Sequence, residues 1–487
     1  MSQTPAMKND MLIQQKNDRG NPAGPRPGIG SGLPFFIRHR RTGYGPAAWR
    51  PPLTFKGLGT VAALFIATMR GSAQEALHDL MANNAATESR NKQMQSADYT
   101  YKSGDFQVLA EPSLDLQYND NINLTQTNEE SDFIVEPAVR LTTSYPLTQE
   151  NLLFLDFTIG YSKYISHSEL DTLDLNSQSG SGFSFDIGVK DVKINLHDRF
   201  SYTQDSAQNA QVANTGSYGT FQNAAGLSAV WDLNDVTLTG GYDHQTVFAT
   251  SSQFSQDNQS SELLTSQLEF KVHPRITAGL EATASFTSYD QNQLNNNSSY
   301  SFGVNADIRP DEAFRIQPRV GYTIYDFQQT STNIQTSNLG SWYADLNISH
   351  DITKTISYAI DAGHEVSLGV ESDATEDWYA RPSITWKIIK DWQFETGFFY
   401  DHGTEGQGST YGPLRLNDSQ TYDWYGGSLT VSHPLSKRFD LALNYRITKR
   451  SADSTTTFVG FGSGTTSGGY LQNLVELTLT YHPPRLP

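Results

Sequence analysis

The 487-residue chain carries 52 acidic against 34 basic residues, a formal net charge of −18, and no cysteine. That balance argues against a nucleic-acid partner, because phosphate binding needs the opposite sign, and the missing thiols exclude disulfides, thiolate metal sites, a cysteine nucleophile and a lipid anchored through an N-terminal cysteine. A hydrophobic fraction of 37%, with 24 Tyr, 25 Phe and 38 Gly, is lean for the aliphatic core of a soluble protein this long and suits a sheet that is apolar on one face only.

Residues 1–73 read as a basic N-terminal extension and secretory signal. The apolar run Leu58 to Met69 is too short to span a bilayer and fits a signal-peptide core. Arg50 and Lys56 precede it, and the small residues Gly71, Ser72 and Ala73 follow, so cleavage is expected between Ala73 and Gln74. Without residues 1–73 the chain keeps 24 basic and 50 acidic residues, a net charge of −26. Residues 74–104 are polar with weak helical spacing (Ala76, Leu80, Met81) and read as a short periplasmic extension.

From residue 105 to 482 the period is two, the signature of strands with unlike faces. Ile276, Leu280 and Phe286 alternate with Thr277, Glu281 and Thr287; Leu443, Tyr445 and Ile447 alternate with Ala442, Asn444 and Arg446. Each run is about ten residues or more, the length a tilted membrane strand requires. Tight connections at Pro146 to Glu150, Lys190-Asp191, Leu233 to Asp235, His273 to Arg275, Arg309 to Glu312, Asp351 to Lys354, Lys390-Asp391 and Pro434 to Lys437 alternate with long polar stretches. Two strands per tight turn plus one at each end give an all-β, transmembrane antiparallel up-and-down barrel of about 18 strands, 16 being the lower count. An even number puts both termini on one side, the periplasmic one, where short turns belong. Pro112, Pro137, Pro318 and Pro382 fall on the lipid face, where bulges are expected because proline removes a ladder hydrogen bond. The strand Tyr470 to Tyr481 resembles the C-terminal signal by which such barrels are assembled, followed by a short tail at 483–487.

The polar face would line a lumen. The selectivity candidates on it are Glu281, Asp345, Asp361, Glu395, Asp440 and Glu476, with Arg315, Arg319, Arg381 and Arg446. Such residues either pair across strands and stiffen the wall or form opposed ladders that set an ion preference; the acidic excess points to weak cation selectivity. Catalysis is not indicated. Asp243-His244 and Asp401-His402 set a carboxylate beside an imidazole, but neighbours on a strand face opposite ways. No nucleophile elbow, zinc spacing or cofactor motif is present, so no metal and no cofactor are expected.

The first strand followed by Tyr118-Asn119-Asp120-Asn121-Ile122, together with the Pro-punctuated strands and the barrel reaching the chain end, resembles the β-barrel porin families of the outer membrane, some of them linked with exopolysaccharide export. The resemblance covers residues 105–482. It implies a cell outer-membrane location and a channel-like architecture, and it supplies no catalytic residue. The expected function is a passive or weakly cation-selective channel for small hydrophilic solutes; the alternative is a structural or export component of an envelope or exopolysaccharide assembly without general pore activity. Expected partners are outer-membrane lipids and lipopolysaccharide, the barrel-assembly machinery, and small solutes or polysaccharide; a homo-oligomer would use the same apolar face as lipid, so the sequence leaves the oligomeric state open.

Overall fold

The computed structural model describes residues 75–96, 99–176, 182–331, 334–370, 372–388, 391–406, 409–411, 420–452 and 468–486. The expected signal segment and its Ala73–Gln74 cleavage point lie outside these residues.

Eighteen spanning strands close on themselves. In chain order they are β1 (Phe106–Asn119), β2 (Asp132–Pro146), β3 (Leu152–Tyr164), β4 in two pieces (Thr172–Asn176 and Phe183–Val189), β5 (Val192–Thr203), β6 (Thr220–Asp232), β7 (Val236–Ala249), β8 (Gln259–His273) and β9 (Ile276–Tyr289). The second half comprises β10 (Asn297–Ile308), β11 (Phe314–Phe327), β12 (Leu339–Asp351), β13 (Ile356–Ser367), β14 (Thr375–Lys387), β15 (Gln393–Glu405), β16 (Gln420–Pro434), β17 (Phe439–Ala452) and β18 (Tyr470–Tyr481). Each pairs antiparallel with its sequence neighbour, and β18 pairs with β1, which leaves no open edge. A closed sheet is one of the two structures that satisfy every backbone group inside a bilayer. The count of eighteen and the all-β class are those expected from the alternating turns.

All eight tight connections fall at one end of the barrel. Lys190, Asn234 and Asp391, in three of them, take positive φ values of 55°, 71° and 69°, the left-handed conformation that a tight hairpin demands. The expected bulges at the prolines do not form. Register is continuous past Pro112, and the ladder beside Pro137, Pro318 and Pro382 skips two residues on each strand and resumes in the same register. Losing one donor costs a rung of the ladder, whereas a bulge would turn every later side chain to the wrong face. The shift that does occur lies between Lys271 and His273, beside a tight turn.

Apolar side chains face outward. Leu280, Phe302 and Phe398 are 53%, 62% and 63% exposed within a continuous belt of exposed Leu, Ile, Val, Phe, Tyr and Trp, far beyond the patches a soluble protein shows water. Among the described residues no helix is long and apolar enough to cross a membrane; this chain crosses with strands.

One helix lies inside. α1 (Glu75–Ser96) is made largely of good helix formers, and where the sequence suggests a periplasmic extension, it packs against β8 and β9 with Leu77 and Leu80 clustered on Tyr343 of β12. His78 Nε2 lies 2.8 Å from Glu365 Oε2 of β13, and Arg90 Nη2 donates to Asp186 Oδ1 of β4 at 3.3 Å. Asp79, buried, pairs with Arg199 of β5. The apolar face of α1 is too short to be conspicuous in the sequence, and its polar groups find partners only once the barrel surrounds them.

Candidate functional site: the barrel lumen

The ten charged candidates all sit at inward positions, and every arginine among them meets a carboxylate. Arg319 Nε is 3.5 Å from Glu281 Oε2, Arg315 Nη2 donates to Asp307 Oδ2 at 3.0 Å, Arg381 Nη2 to Asp401 Oδ1 at 3.1 Å, and Arg446 Nη2 to Asp205 Oδ2 at 3.1 Å. The last acid belongs to the long β5–β6 loop, which folds back over the lumen. Burial works to raise the Asp205 carboxyl, but Arg446, Gln208 and the Ala207 amide together hold it below the ordinary carboxylate range. The remaining acids hydrogen-bond to neutral or histidine partners or stand opposite an arginine in the ladder, as Asp345 does Arg319. Tyr379 Oη donates to Asp345 at 3.0 Å, Asn444 to Glu476 at 3.2 Å and Gln393 to Glu395, while Asp361 stands opposite Arg381 in the ladder. Asp440 and Glu111 grip His482 from either side at 2.7 and 3.0 Å, just beyond the end of β18; the two carboxylates raise that imidazole to about 10.

A recurring device that single strands do not reveal fixes several of these acids. A lumen-facing tyrosine lies flat across a glycine on the preceding strand and donates to an acid beyond it. Tyr343 of β12 crosses Gly321 of β11 and Gly303 of β10 to reach Glu281 of β9 at 2.8 Å. Tyr379 of β14 crosses Gly363 of β13 to Asp345 of β12, and Tyr422 of β16 crosses Gly403 of β15 to Asp377 of β14 at 2.7 Å. A Cβ on Gly403 would stand 2.2 Å from the Tyr422 ring, and one on Gly363 would stand 2.4 Å from the Ala344 carbonyl oxygen. Glycine is therefore required here for close approach. The signal available in sequence was a glycine at an inward position of a strand otherwise rich in β-formers.

Closure of the barrel creates an acidic wall. Asp115 of β1 stands directly opposite Glu136 of β2, and Gln117 of β1 opposite Glu476 of β18. The Ser162 hydroxyl of β3 lies between Asp174 of β4 (2.7 Å) and Glu136 (3.1 Å), with one proton to share between them. Among the described residues none of these four carboxylates has a Lys or Arg partner. The flanking cations are committed elsewhere, Arg140 to Asp156 at 3.0 Å and Glu111 at 4.0 Å, and Arg446 to Asp205 at 3.1 Å. Glu476 lies more than 300 residues from its neighbours in the wall, so a strand-by-strand reading puts Asp115, Glu136 and Glu476 on the lumen face without bringing them together.

The two carboxylate-imidazole pairs separate across the wall. Asp243 is buried on the lumen side, 2.6 Å from His197 Nε2, while His244 faces outward to Glu262. Asp401 turns in to Arg381, and His402 turns out to Asp423. Neither pair forms a dyad.

Residues 99–307 match the family described as "Putative beta-barrel porin 2", the family class that the first strand and its prolines resemble. No curated protein matches the sequence. Among solved structures, Acinetobacter baumannii OccAB3 is similar at 8% identity over 77% of this chain and 99% of its own, with a TM-score of 0.41. A BenF-like porin from Pseudomonas fluorescens Pf-5 is similar at 10% identity over 77% and 98%, with a TM-score of 0.43, and Pseudomonas aeruginosa OccK2, solved in complex with glucuronate, at 8% over 77% and 98%, with a TM-score of 0.42. At such identity and superposition the likeness speaks to neither solute nor selectivity.

Proposed function

We propose that this outer-membrane barrel of the porin type is a channel for small hydrophilic solutes with a weak preference for cations, and that α1 narrows its bore. The observation that carries the reading is the unpaired acidic wall of Asp115, Glu136, Asp174 and Glu476. A barrel of eighteen strands encloses a lumen wide enough for water unless something fills it. In a water-lined bore, carboxylates without a protein cation draw counter-ions from solution and raise the local cation concentration. The arginines do not offset this wall, because each is already held by its own acid. The tight turns and both chain ends then face the periplasm, and the long loops face outside.

α1 supports a gated version of the same reading. Its polar contacts reach the neighbouring strands β4 and β5 on one side and β13 on the other, so it bridges the lumen instead of lining one wall. Planar-bilayer recording on the purified protein tests the proposal: discrete conductance steps are expected, rare with α1 docked. A barrel that inserts, shows heat-modifiable gel migration and stays silent would favour the structural or export role instead.

A further inference from the structure

We infer that the wall formed by β7 to β11 near the long-loop end is a recognition surface for a neutral, polyhydroxylated solute such as a short oligosaccharide. The inference rests on the channel reading above and deepens it by naming a solute class.

The register stacks three rungs of uncharged side chains across β8 to β11, the first of them extended onto β7 by Gln245. The first joins Gln245, Ser261, Thr287 and Asn297. The second joins Leu263, Ser285, Ser299 and Tyr325, and the third Thr265, Thr283, Ser301 and Thr323. The charge beside them is Asp243 of β7, opposite Leu263 in the second rung and held by His197 at 2.6 Å; on β8 to β11 charge returns one rung lower, at Glu281. With strands about 4.8 Å apart and two residues rising about 6.8 Å, the field measures roughly 14 by 14 Å, the footprint of a disaccharide.

Two pairs of these hydroxyls bond across the strands: Ser261 with Thr287 at 2.9 Å and Ser301 with Thr323 at 2.7 Å. A hydroxyl both donates and accepts, so each pair can turn its proton either way. The two ends of the top rung are different. The Asn297 side chain is 2% exposed, and its Nδ2 donor has no hydrogen-bond partner; at the other end the buried Gln245 Oε1 acceptor has none either. A buried polar group left unmet is costly, and here one donor and one acceptor wait on the same rung. A cation would satisfy only the acceptor and an anion only the donor. A solute carrying several hydroxyls satisfies both and exchanges bonds with the ladder between them. The wall is buried in this structure, so a solute reaches it when the contents of the lumen, including α1 where it lies against β8 and β9, give way.

Titration calorimetry of maltose into the full chain in detergent, run beside bilayer conductance, tests the inference. The variant combines Ser261→Ala, Thr287→Val, Ser301→Ala and Thr323→Val, with folding checked by heat-modifiable migration. Maltose is expected to bind the parent, and at least about tenfold more weakly the folded variant, while tetraethylene glycol dimethyl ether, neutral but without hydroxyls, gives no heat. A protein that conducts ions yet does not bind maltose, or a variant that binds as the parent does, overturns the hydroxyl wall and leaves the channel standing. A silent barrel that binds maltose in a variant-sensitive way keeps the wall and removes the channel. A protein that neither conducts nor binds removes both. Should the variant fail to fold, Asn297→Leu alone serves: weakened maltose binding is expected, and unchanged binding refutes the inference.

Discussion

Two stretches of the same lumen, equally polar by composition, differ in how they carry charge. The wall of β18 and β1 to β4 gathers four carboxylates with no basic partner, whereas β8 to β11 carry three rungs, mostly of hydroxyls, with no charge until Glu281, and the neighbouring Asp243 of β7 is held by His197. Between them, charges come in matched sets such as Arg319 with Glu281 and Arg381 with Asp401. Counting acids along the chain therefore says little about selectivity; what matters is which acids the closed sheet leaves unpaired. A neutral wall facing an acidic one lets a barrel concentrate cations on one side and hold uncharged solutes on the other.

The sharpest way to break this contrast is to strip the acidic wall. Asp115→Asn, Glu136→Gln and Glu476→Gln combined should bring the potassium-to-chloride permeability ratio down several-fold, close to unity, as read from reversal potentials. Glu281→Gln should act on stability before selectivity. It leaves Arg319 without its buried counter-charge and Arg319 and Tyr343 with one acceptor oxygen between them, and breaking one partner out of a buried pair costs about 3–5 kcal/mol; an unshifted unfolding midpoint would show that the pair is ornamental. Third in size, Leu77→Asp with Leu80→Asp should release α1 from Tyr343 and raise the open probability of single channels, and an unchanged open probability would mean that α1 does not narrow the bore. Gly403→Val should dislodge Tyr422 from Asp377 and lower the temperature at which the barrel loses its heat-modifiable form. The smallest effect concerns His482. Its folded value near 10 lies above the ordinary 6.5, so the clamp on Glu111 and Asp440 contributes fully below about pH 6.5 and is lost as pH rises through about 10. Unfolding midpoints should fall over that window in the parent and not in His482→Ala.

Much of the barrel was legible because period two is local: Ile276 to Tyr289 declares its two faces without help from any other strand. The eight tight turns were legible for the same reason, and with them the count of eighteen. Interactions between strands were not. Gly303 and Gly321 are unremarkable until Tyr343 lies across both, and Glu476 joins Asp115 and Glu136 only because the last strand pairs with the first. α1 was hidden for a related reason: its partners Glu365, Arg199 and Asp186 come from distant parts of the chain. The prolines misled in the other direction, since a missing donor suggested bulges that the sheet avoids by skipping a rung.

The most direct test of the channel and its acidic wall is the zero-current potential of single channels across a tenfold potassium chloride gradient. A reversal potential of the sign set by potassium permeation, shrinking toward zero in the Asp115, Glu136 and Glu476 variant, is the predicted result. A reversal potential of the chloride sign, or one that the variant leaves untouched, would contradict the account.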